Sequence, residues 1–233
     1  MSTFALVHGG AHGGWCWEEV VPELERLGHR AVAPDLPIGD ETAGALRWAE
    51  TVVDALSGVD EDVVVVGHSM GGMCVPVVAT LRPVRRLVFL GAMVPVPGMV
   101  YLDYLATEPR AVTFAGAGAD ELAAGVVPAN ASGITWQAAF DGFYHDIPEP
   151  VARRAWERLR PQTMTVFTER CPIDSWPAVP STSIVMTDDR AVGLEWSRRV
   201  ATERLQGDLI ELPGSHSPFY SMPAELARVL AGL

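Results

Sequence analysis

The chain has only three cysteines in 233 residues, no apolar run near membrane-spanning length, and far fewer basic than acidic side chains. Each shortage removes a class of function. Cys16, Cys74 and Cys171 are odd in number and far apart, unlike the close pairing of zinc sites or disulfide frameworks, so they read as reduced, structural thiols and no metal is expected. Crossing a bilayer takes roughly 20 consecutive apolar residues, which the sequence does not contain. The opening MSTFALVHGG has neither the basic start nor the cleavage region of a signal peptide, and a soluble, cytoplasmic protein with no membrane partner is expected. Seventeen basic residues against twenty-nine acidic ones leave a formal charge of -12, which repels phosphate backbones, so no nucleic acid is expected to bind.

What the chain has in quantity is apolar surface. At 48% hydrophobic it can bury one sizeable core, and a single α/β domain of this length is ordinary. Short β-rich runs at 4–7, 30–33, 63–66, 87–90, 183–186 and 209–212 alternate with helical patterns, which implies a mostly parallel sheet covered by helices on both faces. Within 41–57, Leu46, Ala49, Val53 and Leu56 keep the three-four-three spacing of an amphipathic helix, as do Trp17, Val20, Val21, Leu24 and Leu27. A last helix carries Leu226, Val229, Leu230 and Leu233, with Pro223 near its start, where proline is tolerated. Between about 95 and 180 the alternation fails. Prolines, glycines and aromatics take over, and the stretch reads as a helical cap because Trp136, Phe140, Phe143, Tyr144, Trp156 and Trp176 need something to cover.

Gly67-His68-Ser69-Met70-Gly71 follows the run Val63-Val64-Val65-Val66 and precedes an apolar, helix-like segment beginning near Gly72. The five-residue pattern alone is weak, since an ordinary glycine-rich turn can match it. Set between a buried strand and a helix it reads as a nucleophile elbow, in which a serine on a strained turn projects its hydroxyl and the flanking glycines avoid a clash. A dinucleotide fingerprint is the competing reading of these glycines, but G-x-G-x-x-G needs a glycine that neither Gly9-Gly10-Ala11 nor Gly67-His68-Ser69 provides.

VVVVGHSMGG, together with LVHGGAHGGWCW after the first strand, resembles the α/β-hydrolase superfamily over nearly the whole chain. The order H-G-G-x-H-G-G-x-x-W is similar to the plant methyl-ester esterases and hydroxynitrile lyases and their bacterial relatives. The resemblance implies one α/β-hydrolase domain over 1–233 with a cap insertion at about 95–180. It also implies Ser69 as nucleophile, backbone N–H groups of Gly10 and Met70 as the oxyanion hole, and partners in the chain order serine, acid, histidine. Of the six histidines only His145 and His216 follow Ser69, and His216 lies in the loop between the last strand and the last helix, at the sheet edge where ligands bind. His8 and His12 are expected to brace the oxyanion loop and His29 to lie at the surface. The run 183–186 ends in Thr187-Asp188-Asp189-Arg190, whereas 87–90 leads into Gly91-Ala92-Met93 without a carboxylate. The family pattern G-x-x-D selects Asp189 although Met186 replaces its glycine, and Asp188 stays open, with Asp146 beside His145 the next in line.

The expected reaction is cleavage of a small carboxylic ester through an acyl-serine, with no cofactor. Trp136, Phe140 and Tyr144 are the expected pocket residues, with packing inside the cap as the alternative use for these rings. A small-molecule ester is the expected partner, and a homodimer stays open. Hydroxynitrile lyase chemistry is disfavoured, since relatives of that kind resemble a pattern with lysine after the histidine and threonine in the oxyanion loop, where this chain has Ser217 and Gly10. Acyl transfer or cyclisation stays open, as does a ligand-binding receptor or pseudoenzyme on the same fold.

Overall fold

A computed structural model describes residues 1–60, 62–113 and 130–233; residues 114–129 of the expected cap lie outside the described residues. All six expected strands form: β1 (Thr3–Val7), β2 (Arg30–Val32), β3 (Val63–His68), β4 (Arg86–Leu90), β5 (Ser181–Met186) and β6 (Asp208–Leu212). They lie in the order β2-β1-β3-β4-β5-β6 with every neighbouring pair parallel. β1, β3 and β5 are buried along their whole length, as strands sandwiched between helical layers must be, and this is why β1 and β3 read as apolar runs.

Side chains alternate between two cores. Phe4, Leu6, Val64 and Val66 point to the face covered by α1 (Val20–Arg26) and a C-terminal helix, while Ala5, Val7, Val63 and Val65 point to the face covered by α2 (Ala45–Ala55) and α3 (Val75–Leu81). The buried side of α2 is Ala45, Trp48, Ala49 and Val52, about one residue round from the expected stripe, and Leu46 is 45% exposed. The larger payload wins. Burying an indole removes more apolar surface than burying Leu46, so the helix turns to cover Trp48. Leu27 also faces water, because α1 ends just before it and Gly28 (φ 83°) turns the chain away. The three cysteines are buried free thiols, and burial pushes Cys74 up to about 12. Among the described residues no helix is long and apolar enough to cross a membrane.

Between β4 and β5 the described residues form short helices joined by loops. The helices are α4 (Tyr101–Thr107), α5 (Trp136–Ala139) with a wider turn over Phe140–Tyr144, α6 (Glu149–Glu157) and α7 (Thr165–Thr168). Ala139, Tyr144, Ile147, Ala152 and Ala155 form a third core, into which Ala11 of the loop after β1 also packs. That contact seats the cap on the carboxyl end of the sheet. Beyond β5 the chain adds α8 (Leu194–Arg199), then β6, the short α9 (Pro218–Ser221) and α10 (Pro223–Ala231).

Candidate active site

β3 delivers Ser69 to the centre of that edge. His68 is still extended, Ser69 adopts φ 51°, and a tight helical turn over Ser69–Met73 begins at once. A positive φ on a residue with a side chain is strained and persists only where its surroundings hold it. Here glycines allow the holding. A Cβ at Gly71 would sit 2.5 Å from the His8 carbonyl oxygen, and one at Gly67 would run into the Val75 side chain. The Met93 N–H donates to the Ser69 carbonyl oxygen at 2.9 Å and ties the elbow to the loop after β4.

The strand-end carboxylate is paired. Oδ2 of Asp189 accepts from Nδ1 of His216 at 2.8 Å, with both side chains almost wholly buried. Oδ1 accepts from the backbone N–H groups of Ala191 and Val192 at 2.7 and 2.9 Å, which fixes the carboxylate plane. The turn that Met186 put in question closes through the Asp189 N–H to the Met186 carbonyl at 3.3 Å. Asp188 instead accepts from Gly214 N–H at 3.2 Å and Asp146 from Ser215 N–H at 2.8 Å, so both shape the histidine loop without touching the imidazole. Because Nδ1 donates to Asp189, His216 presents Nε2 as an acceptor, and it lines the same cavity as Ser69.

Three neutral histidines surround this pair. His68, which the sequence reading passed over, donates from Nε2 to the His216 carbonyl oxygen at 2.8 Å and packs its ring 4.6 Å from the His216 ring. Its place beside the serine was the available signal. Burial holds His8 down to about 4, His12 down to about 3, and His68 well below its ordinary value. His8 and His12 sit where the sequence placed them: Nδ1 of His8 donates to Gly9 O at 2.8 Å and Nδ1 of His12 to Gly10 O at 2.9 Å. His29 is half-buried and accepts from Ser2 N–H.

A cavity of about 240 Å³ opens on Ser69, His216, Gly10 and Met70. Its described walls are mainly apolar, including Val112, Ile134, Phe143, Met164 and Phe167, and none of them is a carboxylate or a guanidinium. The expected pocket residues Trp136, Phe140 and Tyr144 are not on that wall. They recur every four residues on one helical face, and that face packs into the cap core, so the pocket takes Phe143 from the neighbouring face. Among the described residues no group of three or more His, Cys, Asp or Glu side chains could hold a metal ion.

A parallel sheet that carries a strained serine elbow on its third strand and a carboxylate–imidazole pair on its last two defines an α/β hydrolytic enzyme. The chain belongs to the alpha/beta hydrolase family, whose sequence profile matches residues 4–229. It is 28% identical to a pyrethroid hydrolase from Sphingobium wenxiniae over 99% of this chain and 87% of that protein. It is also 28% identical to a carbendazim hydrolyzing esterase from a Nocardioides species, over the full length of both. In fold it is similar to a methylesterase protein from Arabidopsis, with TM-score 0.75 and 23% identity over 99% of this chain and 97% of that one. With such relatives along its whole length, the chain is a carboxylic ester hydrolase.

Proposed function

We propose that the protein cleaves a small, uncharged carboxylic ester through an acyl-enzyme on Ser69. The observation that carries this reading is the buried Asp189–His216 hydrogen bond, which leaves Nε2 of His216 bare on the wall that Ser69 shares. His216 takes the Ser69 proton as Oγ attacks the ester carbonyl carbon, and Asp189 balances the imidazolium. The histidine then returns the proton to the departing alcohol oxygen as the C–O bond breaks. Water repeats the sequence on the acyl-serine and releases the acid, and Ser69 regains its proton.

The reading assigns the developing oxyanion to the N–H groups of Gly10 and Met70, both of which line the cavity with Ser69. Gly9 O is taken by His8 Nδ1 and by the His12 N–H, and in a trans peptide the N–H opposes the C=O, so the Gly10 N–H is turned away from the His8 imidazole, at a residue that lines the cavity. Met70 lies in the first turn of its short helix, where backbone N–H groups have no partner within the helix. One such donor is worth roughly 2.7 to 4 kcal/mol of transition-state stabilisation.

The test is stoichiometric fluorophosphonate labelling of Ser69 together with burst release from p-nitrophenyl butyrate. Ser69→Ala should lose labelling and about 10⁶-fold in turnover, and more than about one tenth of wild-type activity in that variant would refute the serine route. The described part of the wall, which holds no carboxylate or guanidinium, adds a substrate expectation. A neutral short-chain or aryl ester should be turned over well, while the same ester carrying a free carboxylate, unpaired inside the pocket, should be rejected by about 100-fold or more in kcat/KM.

A further inference from the structure

The loop that offers the Gly10 N–H is held from the cap. Ala11 sits at φ 60°, a left-handed conformation that strains a residue with a Cβ. Around it, the Ala11 N–H donates to Oε1 of Gln162 at 3.4 Å, the Ala11 carbonyl oxygen accepts from Arg160 N–H at 2.7 Å, and the His12 carbonyl oxygen accepts from the Arg160 guanidinium at 2.8 and 3.1 Å. The fourth tether is relayed through His12. The Gly10 carbonyl can only accept, so Nδ1 of His12 carries the hydrogen and Nε2 is a bare acceptor; Tyr144 therefore donates its hydroxyl to Nε2, at 2.7 Å. The Gly10–Ala11 peptide is thus gripped at its oxygen by Tyr144 acting through His12 and at its nitrogen by Gln162. Both grips come from the insertion.

We propose that Tyr144 and Gln162 are positioning residues that set the oxyanion loop, so that oxyanion stabilisation depends on the seated cap; this rests on the reading of Gly10 as an oxyanion donor. Burial keeps His12 neutral, which lets it pass the constraint from Tyr144 to Gly10 across the working pH range of an esterase. Gln162 is held in turn, donating from Nε2 to Thr163 O at 2.8 Å and Ile38 O at 3.3 Å. Its amide is fixed before any substrate arrives.

Tyr144→Phe keeps the ring and its packing and removes only the donor. On p-nitrophenyl butyrate, with active sites counted by fluorophosphonate titration, it should lower kcat per labelled site by about 10-fold to 100-fold, with KM changed less than about threefold, because the oxyanion exists only in the transition state. A trifluoromethyl ketone, whose hemiketal oxygen occupies the same position, should lose inhibition by a similar factor. Gln162→Met should do the same from the nitrogen side and carries the test alone if Tyr144→Phe does not fold. In a His12→Asn background, where the amide still donates to Gly10 O, Tyr144→Phe should have no further effect. Wild-type kcat per labelled site and wild-type ketone inhibition in Tyr144→Phe or in Gln162→Met would overturn the proposal while leaving the serine route standing. Failure of the wild type to be labelled or inhibited at all would instead sink the reading on which it rests.

Discussion

At the scale of single residues the sharpest contrast is between two adjacent aspartates. Asp189 meets His216 and is held by two backbone N–H groups, whereas Asp188 meets only Thr187 and Gly214. Asp189→Asn should keep the fold and cost up to about 10⁴ in turnover, since an amide in place of Oδ2 favours the wrong imidazole tautomer. Asp188→Asn still offers an oxygen to the Gly214 N–H and should stay within about tenfold of wild type; kcat/KM of both on one activated ester is the measurement. The polar candidates were legible in part: Ser69 from its turn between a strand and a helix, His216 from its loop after the last strand, and Asp189 only through the family pattern that the sequence resembles, since the strand end alone left Asp188 open. The bracing partners were not. Tyr144 reaches His12 across 132 positions and Gln162 reaches Ala11 across 151, and no local pattern announces contacts of that range.

At the scale of elements, the central strands β1 and β3 were visible because a strand buried on both faces leaves an apolar run, but the rotation of a helix about its axis was not. α2 and the segment 136–144 both offer rings and aliphatic side chains on more than one face, and bulk decides which face turns inward. That gives a test within the cap. Phe143→Ala should reorder the preference among acyl and aryl esters, because Phe143 walls the cavity beside His216, while Trp136→Ala should lower stability by roughly 1 to 3 kcal/mol and leave the ranking as it was. The elbow is less forgiving. Gly71→Ala would press a methyl group onto the carbonyl oxygens of His8 and Val7, which belong to the strand and loop that present Gly10. Backbone cannot rotate aside, so a loss of about 1 to 3 kcal/mol in unfolding free energy, read as a lower urea midpoint, should accompany a fall in kcat.

At the scale of the whole molecule, pH acts through two opposed effects. The sequence pI of about 4.8 means that acidification from neutrality discharges an acidic surface, and relief of self-repulsion alone would stabilise the fold on the way down. The buried histidines act the other way. In the unfolded chain they take up protons below about pH 6.5, while in the fold burial holds His8 down to about 4, His12 to about 3 and His68 lower than its ordinary value as well. Between those limits the unfolded state binds more protons than the folded one, so unfolding free energy rises with pH and falls as pH drops, by about 1.4 kcal/mol per unit for each fully engaged histidine. Three such groups take up protons in the unfolded chain from about pH 6.5 downward, ahead of most of the carboxylates, and over that interval they outweigh the relief of surface repulsion. Urea midpoints taken from pH 7 to 4.5 should therefore decline steadily. His68→Gln, whose amide can still donate to the His216 carbonyl, should make that decline shallower. A midpoint that climbs toward pH 4.8 would mean that surface charge governs and that the histidines beside the serine are hydrated enough to protonate in place.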